Sequence, residues 1–87
     1  MRNKIYDFIN DMIDDMDKTV DYALERGTGV KWCAVELNSQ YEKGFGALLF
    51  SKCYDHSITD YEYDALLDRI YDAMNSALER LAREYKR

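Results

Sequence analysis

Apolar residues recur at alternating steps of three and four in the first third of the chain, which is the spacing of one face of an α-helix. Phe8, Ile13 and Leu24 widen this stripe. Gly27 follows at the position where glycine commonly ends a helix in the left-handed conformation. The pattern predicts a helix over residues 3–26, and its apolar stripe consists of Ile5, Ile9, Met12, Met16, Val20 and Ala23.

A second amphipathic pattern occupies the last third of the chain and begins with signals typical of a helix start. Thr59 and Glu62 have the spacing of a capping box, and Ile58 and Tyr63 occupy the positions of a hydrophobic staple. Acidic residues near the start and basic residues near the end complement the helix dipole. The pattern predicts a helix over residues 59–86, with a stripe of Tyr63, Leu67, Ile70, Met74, Ala77 or Leu78, Leu81 and Tyr85.

The middle of the chain fits two structures. A β-hairpin would use residues 30–37 and 45–53 as strands, although the segment contains few of the β-branched residues that strands favour. A helix over residues 29–54, with Thr28 as its N-cap, is favoured even though Gly44 and Gly46 each destabilise it by about 1 kcal/mol relative to alanine. The helix would place on one face Val30, Ala34, Leu37, Tyr41, Phe45, Leu48 and Leu49.

Together these segments predict an all-α fold, an antiparallel three-helix bundle with helices at about 3–26, 29–54 and 59–86. The 87 residues correspond to a single domain, 1–87. Short connections at 27–29 and 55–58 favour antiparallel neighbours. The alternative is an α+β fold with a hairpin at 30–53 between two helices.

Acidic residues outnumber basic ones, 17 to 12, and the formal net charge is −5. This charge disfavours direct contact with nucleic acids and anionic membranes, which bind Lys and Arg side chains through phosphate. It favours a protein partner with a basic surface. The longest apolar run, 45–50, is far shorter than the roughly 20 residues of a membrane span. Two cysteines and an N-terminus without an apolar signal core lead us to expect a cytoplasmic protein.

Aspartates follow one another along the first predicted helix, opposite its apolar stripe. Aspartate is a poorer helix former than glutamate, so glutamate or lysine would suit a face that only contacts water better than aspartate does. Carboxylates at steps of three and four lie about 5 Å apart along the axis, compared with roughly 3.4 Å between the phosphates of one nucleic-acid strand. Two interpretations stand, a solvated face and a face that imitates nucleic acid. The candidate partner-binding residues are Asp7, Asp11, Asp14, Asp15, Asp21 and Tyr22.

No metal, cofactor or catalytic site is predicted. His56 is the one histidine and falls in a predicted turn. An Asp-x-Glu-x-Asp sequence near the start of the last helix resembles the start of a calcium loop, but Ala65 and Tyr71 stand where that loop needs glycine and an acid. Cys33 and Cys53 lack a strongly basic environment that would activate a thiolate. Both are expected in the core, and we expect no enzymatic activity.

Eight tyrosines are too many for the core of so short a chain, so some must lie on the surface, where tyrosine is common in binding sites. A small, acidic, tyrosine-rich chain without enzyme motifs resembles accessory proteins of phages and mobile elements, among them anti-CRISPR inhibitors of host defence nucleases. The resemblance is one of composition and rests on no particular residues. It implies an inhibitor that blocks a basic, nucleic-acid-binding groove of a partner protein. The alternative is a homo-oligomeric structural protein, for example a homodimer with residues 45–50 or the last helix at the seam.

Overall fold

Three helices account for nearly all of the computed structural model, which describes residues 4–27 and 29–84. They are α1 (Lys4–Arg26), α2 (Val30–Cys53) and α3 (Asp60–Glu84). Each helix packs against both of the others, and the bundle measures 46 Å by 20 Å by 17 Å. The predicted all-α three-helix bundle is confirmed. The hairpin alternative is wrong, because residues 30–53 are one continuous helix.

α1 buries the stripe that its sequence predicts. All six predicted core positions are buried, Ile13 and Leu24 pack at the edge of the core, and Phe8 is exposed. Gly27 follows the helix with a φ of 69°, a conformation that glycine adopts without the strain that a Cβ would bring. The predicted first residue of the helix, Asn3, lies outside the described residues.

α3 begins with the predicted capping box. The Thr59 hydroxyl accepts a hydrogen bond from the Glu62 N–H at 3.1 Å, and Glu62 Oε1 accepts one from the Thr59 N–H at 2.9 Å. Both residues of the predicted staple belong to the core, Ile58 as a buried residue and Tyr63 as a partly buried one. Two backbone N–H groups at the helix start are therefore satisfied, and its first turn is tied to the core.

The buried stripe of α3 is close to the predicted one. Leu66, which the prediction omitted, is buried, and Leu67 lies at the edge of the core. Tyr85, the last residue of the predicted stripe, lies outside the described residues. The buried residues of α3 are Leu66, Ile70, Ala77 and Leu81.

α2 buries only part of the predicted face. Leu37 and Leu48 are buried and Tyr41 packs at the edge of the core, whereas Val30 and Leu49 are exposed. The prediction is wrong at these two positions because it counted large apolar side chains, while the buried face also contains small and polar residues. Gly29 is the N-cap and makes no side-chain capping bond, while the predicted N-cap, Thr28, lies outside the described residues. The buried residues of α2 are Cys33, Leu37, Gly44, Leu48 and Ser51.

Gly44 lies where all three helices meet. A Cβ at this position would collide with the Sδ of Met12 and would lie 3.0 Å from the Met12 Cε and 3.4 Å from the Ile70 Cδ1. Side chains of α1 and α3 therefore fill the space that a side chain of α2 would need. The absence of a side chain at Gly44 allows α2 to pack closely against both neighbours.

The two cysteines lie in different environments, although both were expected in the core. Cys33 is buried and Cys53 is exposed, so the expectation is wrong for Cys53, which lies at the last position of α2. Both thiols are free, and burial raises the pKa of Cys33. None of α1, α2 and α3, over their described residues, is both long and apolar enough to cross a membrane.

Candidate functional site

The predicted partner-binding aspartates are all exposed on α1, and they differ in which neighbouring helix they face. Asp7, Asp11 and Asp14 follow one another at steps of four and three, opposite the buried stripe, and we call them the acidic ridge. Asp15 lies beside α2, and Asp21 lies beside α3. The candidate site therefore divides into an outward part and two parts that contact the neighbouring helices.

A groove follows the contact between α1 and α2 and borders the acidic ridge. It consists of three adjoining depressions of about 350, 370 and 260 Å³. Asp15 and Gln40 line both the first and the second, and Phe8 lines both the second and the third. Asp11 of the acidic ridge also lines the second. This α1/α2 groove brings carboxylates and an exposed aromatic ring to one surface.

The first depression of the α1/α2 groove is lined by two aromatic rings. The ring centroids of Tyr22 and Trp32 are 5.6 Å apart, and both side chains are exposed. The Arg26 guanidinium lies 5.0 Å from the Tyr22 ring centroid, within cation–π range. Tyr22 is thus at the predicted site, where Trp32 supplies a second ring of the type that dominates binding hot spots.

Gln40 leaves a buried acceptor without a partner in the α1/α2 groove. Its Nε2 donates to the Thr19 Oγ1 at 2.9 Å, and the Thr19 hydroxyl donates to the Asp15 carbonyl at 2.9 Å. The Gln40 Oε1 is buried and has no hydrogen-bond partner among the described residues. An unsatisfied buried acceptor destabilises a protein by about 1–3 kcal/mol.

Asp21 is held by α3. Arg80 forms a hydrogen-bonded ion pair with Asp21, and the Arg80 Nε lies 3.7 Å from the Glu84 carboxylate. Farther along the same contact, Arg69 donates to the Asn10 Oδ1 at 2.6 Å. Both of these arginines of α3 thus bond to residues of α1. Asp21 contributes to the packing of α1 on α3 as well as to the negative surface.

A carboxylate with a lowered pKa, that of Glu62, lies at the other end of the α1/α3 contact. Glu62 accepts hydrogen bonds from the Thr59 N–H and, at 2.8 Å, from the Tyr6 hydroxyl. The backbone bond from Thr59 and the bond from Tyr6 lower the pKa of Glu62. The same bond to Glu62 raises the pKa of Tyr6. Both residues have structural roles here, since they join the start of α3 to α1.

Within residues 4–27 and 29–84, no group of three or more His, Cys, Asp or Glu side chains could hold a metal ion. Glu62, the central acid of the Asp-x-Glu-x-Asp sequence, caps α3. The described surface along α1 and the α1/α2 groove offers carboxylate oxygens and exposed aromatic rings. These groups suit the binding of basic and hydrogen-bond-donating side chains.

Comparison with known proteins gives no relative: the chain matches no family model, no curated protein and no solved structure.

Several groove residues were not predicted from the sequence. Phe8 was assigned to the edge of the apolar stripe, and Gln40 and Lys43 were assigned no role, yet all three line the α1/α2 groove. Trp32, which also lines the groove, is absent from the predicted site. Sequence spacing gives the face of a residue within its own helix, but the groove depends on which residues of α2 stand beside α1.

Proposed function

We propose that this protein is a small interaction module, without enzymatic activity, that binds a basic surface of a partner protein through α1 and the α1/α2 groove. The partner we favour is a nucleic-acid-binding protein, such as a host defence nuclease of the kind that phage and mobile-element inhibitors block. The observation that carries the proposal is the exposure of Asp11 and Asp15 beside Phe8 and Trp32 along one groove. We also propose a cytoplasmic location, which the free cysteines support.

Charge along α1 supports the choice of a basic partner. The helix carries seven carboxylates and three basic side chains, a net charge of −4 over Lys4–Arg26. From Asp7 to Asp21 the carboxylates extend over about 21 Å at ~1.5 Å per residue. That length matches roughly six phosphates of one strand at ~3.4 Å each. A groove that normally accepts nucleic acid would therefore meet a row of negative charge of comparable length.

The exposed aromatic rings of the α1/α2 groove would supply binding energy that surface charges alone do not. Surface ion pairs contribute only about 0–1 kcal/mol each, whereas buried aromatic anchors account for much of the binding energy of protein interfaces. Phe8 and Trp32 lie in different depressions of the α1/α2 groove and would serve as two such anchors. In this arrangement the carboxylates steer association and the groove holds the partner.

We infer an antiparallel arrangement of neighbouring helices from the contacts between them. Trp32 and Tyr22 are in ring contact, and Gly44 faces Met12, so numbering rises along α2 as it falls along α1. The Lys52 Nζ lies 3.5 Å from the Asp60 carboxylate, which fits an antiparallel α2 and α3. α1 and α3 would then run parallel, and their acidic outer sides would lie next to each other.

The proposal is tested by charge reversal on α1. We expect the triple variant Asp11→Lys, Asp14→Lys, Asp15→Lys to lose a partner that the wild-type protein captures from an extract of its own cell at low salt. The matched control is Asp64→Lys, Asp68→Lys, Asp72→Lys, which makes the same change of charge on exposed positions of α3. Capture is measured by affinity chromatography with a salt gradient, because charge-steered binding weakens as salt rises.

Two results would count against the proposal. If the α1 variant retains the partner to the same salt concentration as the wild type, the acids of α1 are only a solvated face. If both triple variants lose the partner equally, net charge rather than α1 is responsible. Circular dichroism of each variant establishes that the loss does not come from unfolding.

A further inference from the structure

The outer side of α2 carries exposed apolar side chains and few charges, unlike the outer sides of the other two helices. Val35 is 60% exposed, Phe50 54% and Leu49 41%. We define the outer stripe of α2 as six exposed residues at steps of three and four, namely Val35, Ser39, Glu42, Gly46, Leu49 and Cys53. Only one of the six is charged.

A helix that is apolar on both sides is typical of one that is covered on both sides. In α2, Leu37 and Leu48 face the core, and Val35 and Leu49 face away from it. The exposed apolar side chains of α2 form two groups, one toward each end of the helix, and exposed apolar groups of this size mark an interaction site. The run 45–50 illustrates the division, since Leu48 is buried while its neighbours Leu49 and Phe50 are exposed.

Gly46 has no explanation within the described chain. Glycine destabilises the interior of a helix relative to alanine, and Gly44 is explained by the Met12 side chain that occupies its space. A Cβ at Gly46 would have no atom within 4 Å, so nothing described in the molecule excludes a side chain there. Glycine at this place would instead let a second helix approach the backbone closely.

Charge decides what kind of partner fits the outer stripe. α1 and α3 each carry seven acids and three bases, a net charge of −4 per helix. α2 carries two acids and three bases, a net charge of +1. Two copies of this chain would repel each other through α1 or α3, but they could meet through α2 without bringing the acidic sides together.

We propose that a second copy of this chain docks on the outer stripe, with the two α2 helices antiparallel. Antiparallel overlap of the two outer stripes places stripe residues whose numbers add up to about 88 next to each other. Glu42 then lies beside Gly46 of the other copy, Ser39 beside Leu49, and Val35 beside Cys53. Gly46 leaves room for the Glu42 side chain of the other copy at the crossing of the two backbones.

The available surface is large enough for this dimer. A standard interface covers about 800 Å² on each partner, about a seventh of the 5935 Å² surface of the chain. α2 is about 36 Å long at ~1.5 Å per residue, and the outer side of one helix in a three-helix bundle is roughly a third of the surface. The acidic ridge stays exposed in the dimer, so the inference does not depend on the proposed function.

Sedimentation equilibrium of the full chain tests the dimer. We expect the wild type to associate as its concentration rises from micromolar to millimolar, and Leu49→Lys to raise the dissociation constant about tenfold or more. The matched control, Ala65→Lys, adds the same charge at an exposed position of α3 and should leave association unchanged or stronger. Circular dichroism shows whether each variant is folded. A wild type that is monomeric at every concentration, or a control that dissociates as readily as Leu49→Lys, overturns the proposal.

Cross-linking tests the orientation. In the antiparallel dimer Cys53 lies beside Val35 of the other copy, so Val35→Cys should form intermolecular disulfides with Cys53 under mild oxidation. The wild-type chain, whose two copies of Cys53 would lie at opposite ends of the dimer, should not cross-link, because a disulfide needs Cα atoms within about 7 Å. Efficient cross-linking of the wild type through Cys53 would overturn the antiparallel arrangement.

Discussion

Two glycines of α2 lie two residues apart, on different sides of the helix and in very different surroundings, and they show how much a single Cβ matters. Gly44 is buried, and its missing side chain leaves room for Met12. Gly46 is exposed, and a Cβ there would meet nothing in the described chain. The same residue type therefore serves the packing of the bundle at one position and leaves an open backbone at the other.

Replacing each glycine by alanine should have opposite effects on stability. Gly46→Ala should raise the free energy of unfolding by about 1 kcal/mol, because alanine is the better helix former. Gly44→Ala gains the same propensity but must displace Met12, and overpacking typically costs about 1–3 kcal/mol. We expect it to destabilise the protein by about 1 kcal/mol. Urea unfolding at the lowest usable protein concentration, where association is least, measures both.

These paired variants serve as controls for each other, since they make the same chemical change in one helix. If Gly44→Ala stabilised the protein as much as Gly46→Ala, then Met12 would not fill the space at Gly44 as described.

At the scale of the helix, the sequence predicts α1 and α3 well and α2 poorly. The first two carry apolar residues on one side only, so their spacing identifies the buried face, and the Thr59 capping box marks where α3 begins. α2 has apolar residues on both sides and buries Gly44 and Ser51. A rule that seeks large apolar side chains therefore selects positions such as Leu49, which is exposed.

The stability of the protein should depend on pH through Glu62, which caps the start of α3. Hydrogen bonds from Thr59 and Tyr6 lower the pKa of Glu62 in the folded protein. The contribution of the Glu62 carboxylate to stability is therefore fully present above its pKa in the unfolded chain, about 4.3. It is lost as pH falls through the lower pKa of the folded protein. We expect Glu62→Gln to be less stable than the wild type at about pH 7 and the difference to shrink below about pH 4. Thermal unfolding across this pH range measures it.

Tyr6→Phe provides the control for this pH dependence. It removes one of the two donors that stabilise the Glu62 carboxylate, so its stability should fall less steeply in acid than that of the wild type. A difference between wild type and Glu62→Gln that stays constant from about pH 7 to about pH 3 would contradict the role of the carboxylate.

At the scale of the whole molecule, negative charge is distributed over two of the three helices. α1 and α3 each have a net charge of −4 and pack against each other. Arg69 and Arg80 bridge them by bonding to Asn10 and Asp21. The remaining excess of carboxylates on the two helices is of like charge, and this repulsion opposes the packing of α1 against α3.

Salt should therefore stabilise the isolated chain. At about 0.15 M ionic strength charges are screened beyond about 8 Å, which weakens the repulsion between α1 and α3. We expect the melting temperature to rise as sodium chloride is added from low concentration. The Asp11→Lys, Asp14→Lys, Asp15→Lys variant should show a smaller rise, because it carries less negative charge. A melting temperature that falls with salt would show that attractive ion pairs dominate.

The candidate site depends on the whole molecule more than on any helix. Exposure of Asp7, Asp11 and Asp14 follows from the spacing of α1 and could be predicted. The binding of Asp21 by Arg80 could not, because it needs the register of α3 against α1. The α1/α2 groove likewise forms only when Gln40 of α2 stands beside α1, and no pattern within one helix contains that information.

The contact between Met12 and Gly44 also links the shape of the surface to oxidation chemistry. Met12 is buried against Gly44 and lines the second depression of the α1/α2 groove. Conversion of a methionine to its sulfoxide adds a polar oxygen to an apolar side chain. At Met12 that oxygen would be attached to the sulfur atom that already fills the space beside Gly44. It would also add an acceptor near Asp11 and Asp15, which line the same depression. An oxidant would thus alter the packing of α1 on α2 and the polarity of the groove in a single step.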